Sequence, residues 1–132
     1  MKKLGFTLIE LLVVISIIGV LVAVAVASYN SAQIKARDAA RRAIIGNIQT
    51  AFEQYFAETG AYPTSGNESV AFEGGIPKDP KGSANPLTWN TLSTSYCVCA
   101  TLEAGVGNAI APSSTTCNWS DTGTYYCATN KQ

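Results

Sequence analysis

The chain has 132 residues, nine Lys+Arg against nine Asp+Glu, and no histidine. One domain is expected at this length, and histidine-based triads are excluded, along with the commonest general base and zinc ligand. Zero net charge excludes a generally basic nucleic-acid binder, and 47% apolar against 14% charged residues argues against disorder.

The neutrality hides a division. Lys2, Lys3, Lys35, Arg37, Arg41 and Arg42 against Glu10 and Asp38 give residues 1–42 a charge of +4, which leaves −4 for residues 43–132. From Leu11 to Ala27 the chain reads LLVVISIIGVLVAVAVA, and no charge falls between Glu10 and Lys35. At ~1.5 Å per helical residue, Leu11–Tyr29 covers roughly 28 Å, close to the ~30 Å hydrocarbon core of a bilayer. In lipid the backbone must satisfy its own hydrogen bonds, so a lone apolar segment there is helical. One reading is a secretory signal peptide, with Lys2 and Lys3 as n-region and Ala25-Val26-Ala27 as cleavage site. It would leave a soluble secreted binding domain beginning at Ser28. A second reading is a plain single-span anchor. Neither gives a purpose to Glu10, a costly carboxylate at the head of an apolar run.

The segment Gly5-Phe6-Thr7-Leu8-Ile9-Glu10, the unbroken apolar run after it and Gly19 carry a resemblance. They resemble the processing site of type IV prepilins and type II secretion pseudopilins, closely over residues 1–30. The resemblance implies a leader of residues 1–5, cleaved between Gly5 and Phe6 by the membrane-embedded prepilin peptidase, and methylation of the new Phe6 terminus. It implies that residues 6–30 form the transmembrane and assembly half of one helix and residues 31–132 an extracytoplasmic head. Ala27 stands about where many members have a helix-breaking proline. In an assembled filament Glu10 of one subunit would meet the Phe6 ammonium of its neighbour, and the helix dipole favours a carboxylate in the first turn. Identical or related subunits, the cytoplasmic membrane and an inner-membrane assembly platform are the implied partners. Lys35, Arg37, Arg41 and Arg42 outnumber Lys2 and Lys3, so a positive-inside count points the opposite way. The resemblance and the cysteines both place the body outside.

Past Tyr29 the pattern turns amphipathic. Ile44 or Ile45, Ile48, Phe52, and Tyr55 with Phe56 recur at three- and four-residue steps, and Ala32, Ala36, Ala39, Ala40 and Ala43 keep the preceding stretch narrow. Gly60 is a candidate C-cap and Pro63 stops any continuation. One helix of roughly 80 Å is expected from about Phe6 to Thr59, half transmembrane and half packed on the head. The stretch Ala36–Ser65 is similar to the continuation of small bacterial pilins.

Residues 60–86 read as a loop. Within it Gly75-Ile76-Pro77-Lys78-Asp79-Pro80 is similar to a Pro-Lys-Asp-Pro element of major type II pseudopilins, with Lys81 where those have tryptophan. Leu87–Asn90, Ser95–Leu102 and Thr124–Ala128 read as short strands, and Ser95–Leu102 alternates Tyr96, Val98 and Ala100 against Cys97, Cys99 and Thr101. Three or four antiparallel strands packed on the helix give an α+β, pilin-like fold.

Four cysteines fall at 97, 99, 117 and 127. A Cys97–Cys99 bond strains disulfide geometry, which leaves two pairings open. The tendency of small pilins to tie a central-strand cysteine to one near the C-terminus favours Cys97–Cys117 with Cys99–Cys127. The spacing fits zinc poorly, and disulfides imply an oxidising compartment.

The basic cluster Lys35, Arg37, Arg41 and Arg42 could touch phosphates, but a solvated face or acids on a neighbouring subunit explain it better, and DNA is not expected as a partner. A head-to-tail electrostatic fit predicts that reversing Arg41 and Arg42 to Glu impairs assembly without unfolding the head. Asp121 could belong to a calcium loop of the kind some pseudopilins have, although a simple turn is the stronger reading and no cofactor is expected. The run Ser113-Ser114-Thr115-Thr116 could be glycosylated. No nucleophile with its base, P-loop or paired-carboxylate site is present, so no enzyme is expected. The expectation is a structural subunit of a type IV pilus-like filament, made as a membrane precursor and then carried on a cell-surface pilus. A type II secretion pseudopilin in a periplasmic filament is the second reading. The Pro-Lys-Asp-Pro element favours the pseudopilin, the cysteine-rich C-terminal region the surface pilus.

Overall fold

The computed structural model describes residues 5–82, 87–113 and 116–131. Two compact units divide between Ile34 and Lys35.

Helix α1 spans Leu8–Thr59. It begins two residues later than the apolar pattern suggests, because Thr7 serves as its N-cap: the Glu10 amide donates to the Thr7 hydroxyl over 3.3 Å. In the first unit every described residue up to Gln33 is exposed, a continuous sleeve of Leu, Ile and Val. The second unit contains the remainder of α1, where the periodic positions close against a core. Ile45, Ile48 and Phe52 are fully buried, with Ile44 and Phe56 partly so. The helix ends where Gly60 adopts φ +77° and donates its amide to the Phe56 carbonyl over 2.7 Å, a left-handed cap that glycine takes without steric cost. A 3-10 turn, Glu68–Ala71, interrupts the following loop, whose residues 83–86 lie outside the described ones.

Among the described residues five strands follow: β1 Thr88–Leu92, β2 Ser95–Thr101, β3 Ala109–Ser113, β4 Thr116–Trp119 and β5 Tyr125–Thr129. They form one sheet in the order β1-β2-β5-β3-β4, with every pairing antiparallel. The sequence suggested three or four. Strands β3 and β4 carry no alternating pattern that marks them: Pro112 falls inside β3, where a proline is tolerated only away from the interior of a ladder, and a serine-threonine run follows it.

Strand β2 separates two cores. Tyr96, Val98 and Ala100 pack with Ile45, Ile48, Phe52 and Tyr62 on the helix side, where the Phe52 and Tyr96 rings meet edge to face with centroids 5.0 Å apart. Cys97 and Cys99 point the other way, into a smaller cluster with Ala109, Cys117 and Cys127. Disulfides join Cys97 to Cys117 and Cys99 to Cys127. Strand β4 lies three places from β2 in the sheet, which would separate them by ~14 Å in a flat one. The Cα atoms of Cys97 and Cys117 are 5.4 Å apart, so the sheet curls until β4 sits over β2.

The curl brings two loops into backbone contact. The Gly107 amide donates to the Gly123 carbonyl over 2.7 Å and the Asn108 amide to the Tyr125 carbonyl over 2.8 Å. A Cβ at Gly107 would lie 1.9 Å from the Tyr125 carbonyl oxygen, and one at Gly123 would lie 1.8 Å from that of Ala109. Only glycine fits either position.

Candidate functional site

In the first unit, Glu10 is the single carboxylate on the apolar helix. Its Oε2 accepts the Thr7 amide over 2.9 Å and the Thr7 hydroxyl over 2.6 Å. With the Glu10 amide bonded back to the Thr7 hydroxyl, the two residues form a capping box, threonine at the cap and glutamate three residues on. The cap satisfies orphan amides of the first turn and holds the carboxylate at the end of the helix. Both bonds from Thr7 to the carboxylate fall on Oε2. Phe6, one residue before the cap, is 83% exposed. The 52-residue helix contains a segment long and apolar enough to cross a membrane.

In the second unit, the basic residues of α1 enter a network of ions. Arg41 is fully buried. Its guanidinium forks onto Asp79 at 2.6 and 3.1 Å, and reaches Asp38 at 3.0 Å and Glu103 at 2.8 Å. Arg37 also grips Glu103, at 2.7 and 2.8 Å, and Lys81 reaches it at 2.9 Å. Asp38 accepts the Glu103 and Ala104 amides as well, at 2.9 and 2.8 Å. Three cations and three carboxylates thus pin one helical stretch to two loops. A second polar cluster forms nearer the end of α1. Glu53 accepts the Tyr62 and Tyr96 hydroxyls and the Lys131 amide, each at 3.0 Å, while Gln49 donates to the Thr129 carbonyl over 2.7 Å.

Comparison with known proteins bears on both units. The model of the prokaryotic N-terminal methylation motif matches residues 1–26. The type II secretion system core protein G of Pseudomonas aeruginosa is 34% identical over 89 residues, 67% of this chain and 60% of the relative. The type IV major pilin protein PilA of Myxococcus xanthus is 34% identical over 67 residues, 51% of this chain and 30% of that pilin. The chain is homologous to pilins and pseudopilins. It spans less than two thirds of the length of either relative, and no solved structure matches it significantly.

For a pilin homologue, the basic cluster is arranged differently from the surface stripe that charge counting suggests. Arg41 and Arg37 are neutralised by acids of their own chain. Arg42 donates to the Val106 carbonyl over 2.8 Å and lies 5.6 Å from the centroid of the Tyr126 ring. Reversing Arg41 would therefore unfold the head rather than spare it, which corrects the expectation that an Arg41 and Arg42 reversal acts on assembly alone. Lys35 remains exposed. The Asp121 loop is a turn, with the Gly123 amide on the Ser120 carbonyl at 3.1 Å and the Ser120 and Thr122 hydroxyls 3.2 Å apart. Residues 1–4 of the leader, and Ser114 and Thr115 of the hydroxyl run, lie outside the described residues. The sequence reading missed Asp38, Asp79, Glu103 and Glu53. A signal existed for two of them: Asp38 and Arg41 stand three apart on one helix face, and Asp79 is the acid of the Pro-Lys-Asp-Pro element.

The ion network gives the head a pH dependence. Burial opposes the charged forms of Asp38 and Asp79, but the Glu103 and Ala104 amides on Asp38, and Arg41 on both, outweigh it and hold them below the usual carboxylate value. Arg37 and then Lys81 hold Glu103 well below its usual value too. Folded values below the unfolded ones mean that this stability is complete above about pH 4.3 and is lost as pH falls through the folded values. At the other end, burial and then Glu53 push Tyr62 up to about 12 and Tyr96 up as well. That contribution is present below about pH 10 and fades as pH rises toward 12. Urea midpoints measured from pH 2 to 12 are expected to plateau between these limits; a midpoint unchanged from pH 7 to pH 2 would contradict the network.

Proposed function

We propose that this chain is a structural subunit of a type IV pilus-like filament, with no catalytic step of its own. A prepilin peptidase cuts it between Gly5 and Phe6 and methylates Phe6, and an assembly platform in the inner membrane extracts it into the fibre. Glu10 of one subunit then pairs with the Phe6 ammonium of the next. The observation that carries this reading is the geometry of Glu10. A lone carboxylate is capped at the mouth of an exposed apolar helix, inside a methylation motif, with the prospective amine four residues before it. An ion pair taken out of water strongly disfavours the loss of either member, so pairing selects subunits that dock in register. The Cys97–Cys117 and Cys99–Cys127 bonds suit a head exported to an oxidising compartment.

The reading is tested by the mass of the N-terminal peptide recovered from cells. A chain beginning at Phe6 and heavier by one methyl group is expected; a chain beginning at Ser28 would lose Glu10 with the whole assembly helix. Glu10→Gln is expected to leave that cleavage intact and to reduce sheared filaments by at least about tenfold, as the loss of a paired charge implies. Filaments at normal yield would refute the pairing.

A type II secretion pseudopilin is the second reading. It is favoured by the match to protein G over two thirds of this chain and by the Pro-Lys-Asp-Pro element, whose Asp79 anchors Arg41. Fibres confined to the periplasm would support it, and an easily sheared surface fibre the pilus.

A further inference from the structure

The second unit sorts its charges unevenly. Arg37, Arg41 and Lys81 are matched within the chain by Asp38, Asp79 and Glu103, and Arg42 is held by Val106 and Tyr126. Among the described residues of that unit, this leaves the ammonium groups of Lys35, Lys78 and Lys131 exposed without an acid. Glu53 and the buried Glu68 are occupied by hydroxyls and amides. Glu58, Glu73 and Asp121 are exposed and have no cation among the described residues, and the first two line one groove of about 410 Å³ between the last turns of α1 and the loop after the 3-10 turn. Tyr55, Phe72 and Gln54 also line it. Two carboxylates on one cleft repel each other until a cation enters.

We propose that this groove receives the Lys35 side chain of another copy of the chain, an inference that rests on the filament reading. Lys78 lies five residues from Glu73 on the same loop, and the Lys131 amide is bonded to Glu53, little more than a turn from Glu58. A contact made by either would use adjoining surface on both copies and close them into a pair. Lys35 is 23 residues before Glu58 on the same helix, roughly 35 Å along its axis. Joining it to the groove of another copy displaces the two lengthwise and leaves one unused lysine and one unused groove at the ends. That is a heterologous contact, which propagates into an open fibre when the rotation does not close. The lysine stem covers the ring faces while its ammonium meets the carboxylates.

Sheared wild-type filaments treated with a zero-length carbodiimide and analysed by peptide mass spectrometry are expected to show Lys35 joined to Glu58 or Glu73. Such a link must be between copies, because within one chain the groups are too far apart. Lys35→Glu is expected to cut filament yield about tenfold, since it places a third like charge at the cleft, and Lys35→Gln less. Adding Glu58→Lys and Glu73→Lys to Lys35→Glu is expected to restore the yield. All of these positions are exposed, so urea midpoints in detergent should match the wild type and separate assembly from folding. Cross-links that run only to Lys78 or Lys131, or Lys35→Glu filaments at wild-type yield, would overturn the proposal while leaving the filament reading intact. A wild-type chain that forms no filament would sink both.

Discussion

Arg41→Met is expected to destabilise the folded head by about 3–5 kcal/mol, the cost of removing one partner from a buried ion pair. The side chain of Arg41 has no exposed surface, and those of Asp79 and Asp38 keep 1% and 6%. Methionine would fill much of the volume but leave both aspartates charged or force them to take up protons. Asp38 would keep two amides and Asp79 one, which is too little to replace a forked guanidinium. Arg41→Lys is expected to recover only part of the loss, since a single ammonium cannot span Asp79, Asp38 and Glu103 together. Removing both ends tests the cause. Arg41→Met combined with Asp79→Leu should be more stable than Arg41→Met alone, because no charge is then stranded at that position. Urea titrations of the detergent-solubilised, unreduced chain, followed by fluorescence of Trp89 and Trp119, would measure each value. A change under about 1 kcal/mol for Arg41→Met would show that the network is ornamental.

Gly123→Ala is expected to cost at least about 3 kcal/mol, the upper end of the overpacking range. The added methyl would sit 1.8 Å from the Ala109 carbonyl oxygen and 2.1 Å from its carbon. Both are backbone atoms with no rotamer to retreat into. The loops can separate only by breaking the Gly107–Gly123 and Asn108–Tyr125 hydrogen bonds and the Ala109↔Tyr125 pairing between β3 and β5. Gly46→Ala is the matched control. Its Cβ meets nothing within 4 Å on the surface of α1, and it should stabilise the chain by roughly 0.5–1 kcal/mol through the entropy of the unfolded state. Equal effects at the two glycines would contradict this geometry.

Local pattern made α1 readable: a long apolar run, then Ile45, Ile48 and Phe52 at helical spacing, then Gly60 and Pro63. The two faces of β2 were equally plain, because a strand alternates whatever lies beyond it. Strands β3 and β4 were not, since they are held in place by the disulfides and by the curl of the sheet rather than by their own propensity. The ion network was hidden for a related reason. Arg41 is 38 positions from Asp79 and 62 from Glu103, and nothing near Arg41 in the sequence separates a buried guanidinium from one in solvent. Charge counting left these cations to solvent or to acids of a neighbouring subunit, whereas the fold gives Arg37 and Arg41 acids of their own. The Glu10 motif was legible because its chemistry lies within six consecutive residues.

The strand order carries a consequence for how the head comes into being. Of the five strands, β5 emerges from the ribosome last, yet it occupies the middle of the sheet, paired along its length with β2 and joined to β3. Until it arrives, the β1–β2 and β3–β4 hairpins have no common ladder, and Cys99 waits for Cys127. A product cut short at Trp119 would present two unpaired strand edges and an odd thiol, both liabilities for a chain in transit. The topology therefore works as a completeness check, withholding a closed head from any chain whose translation or export stops before β5.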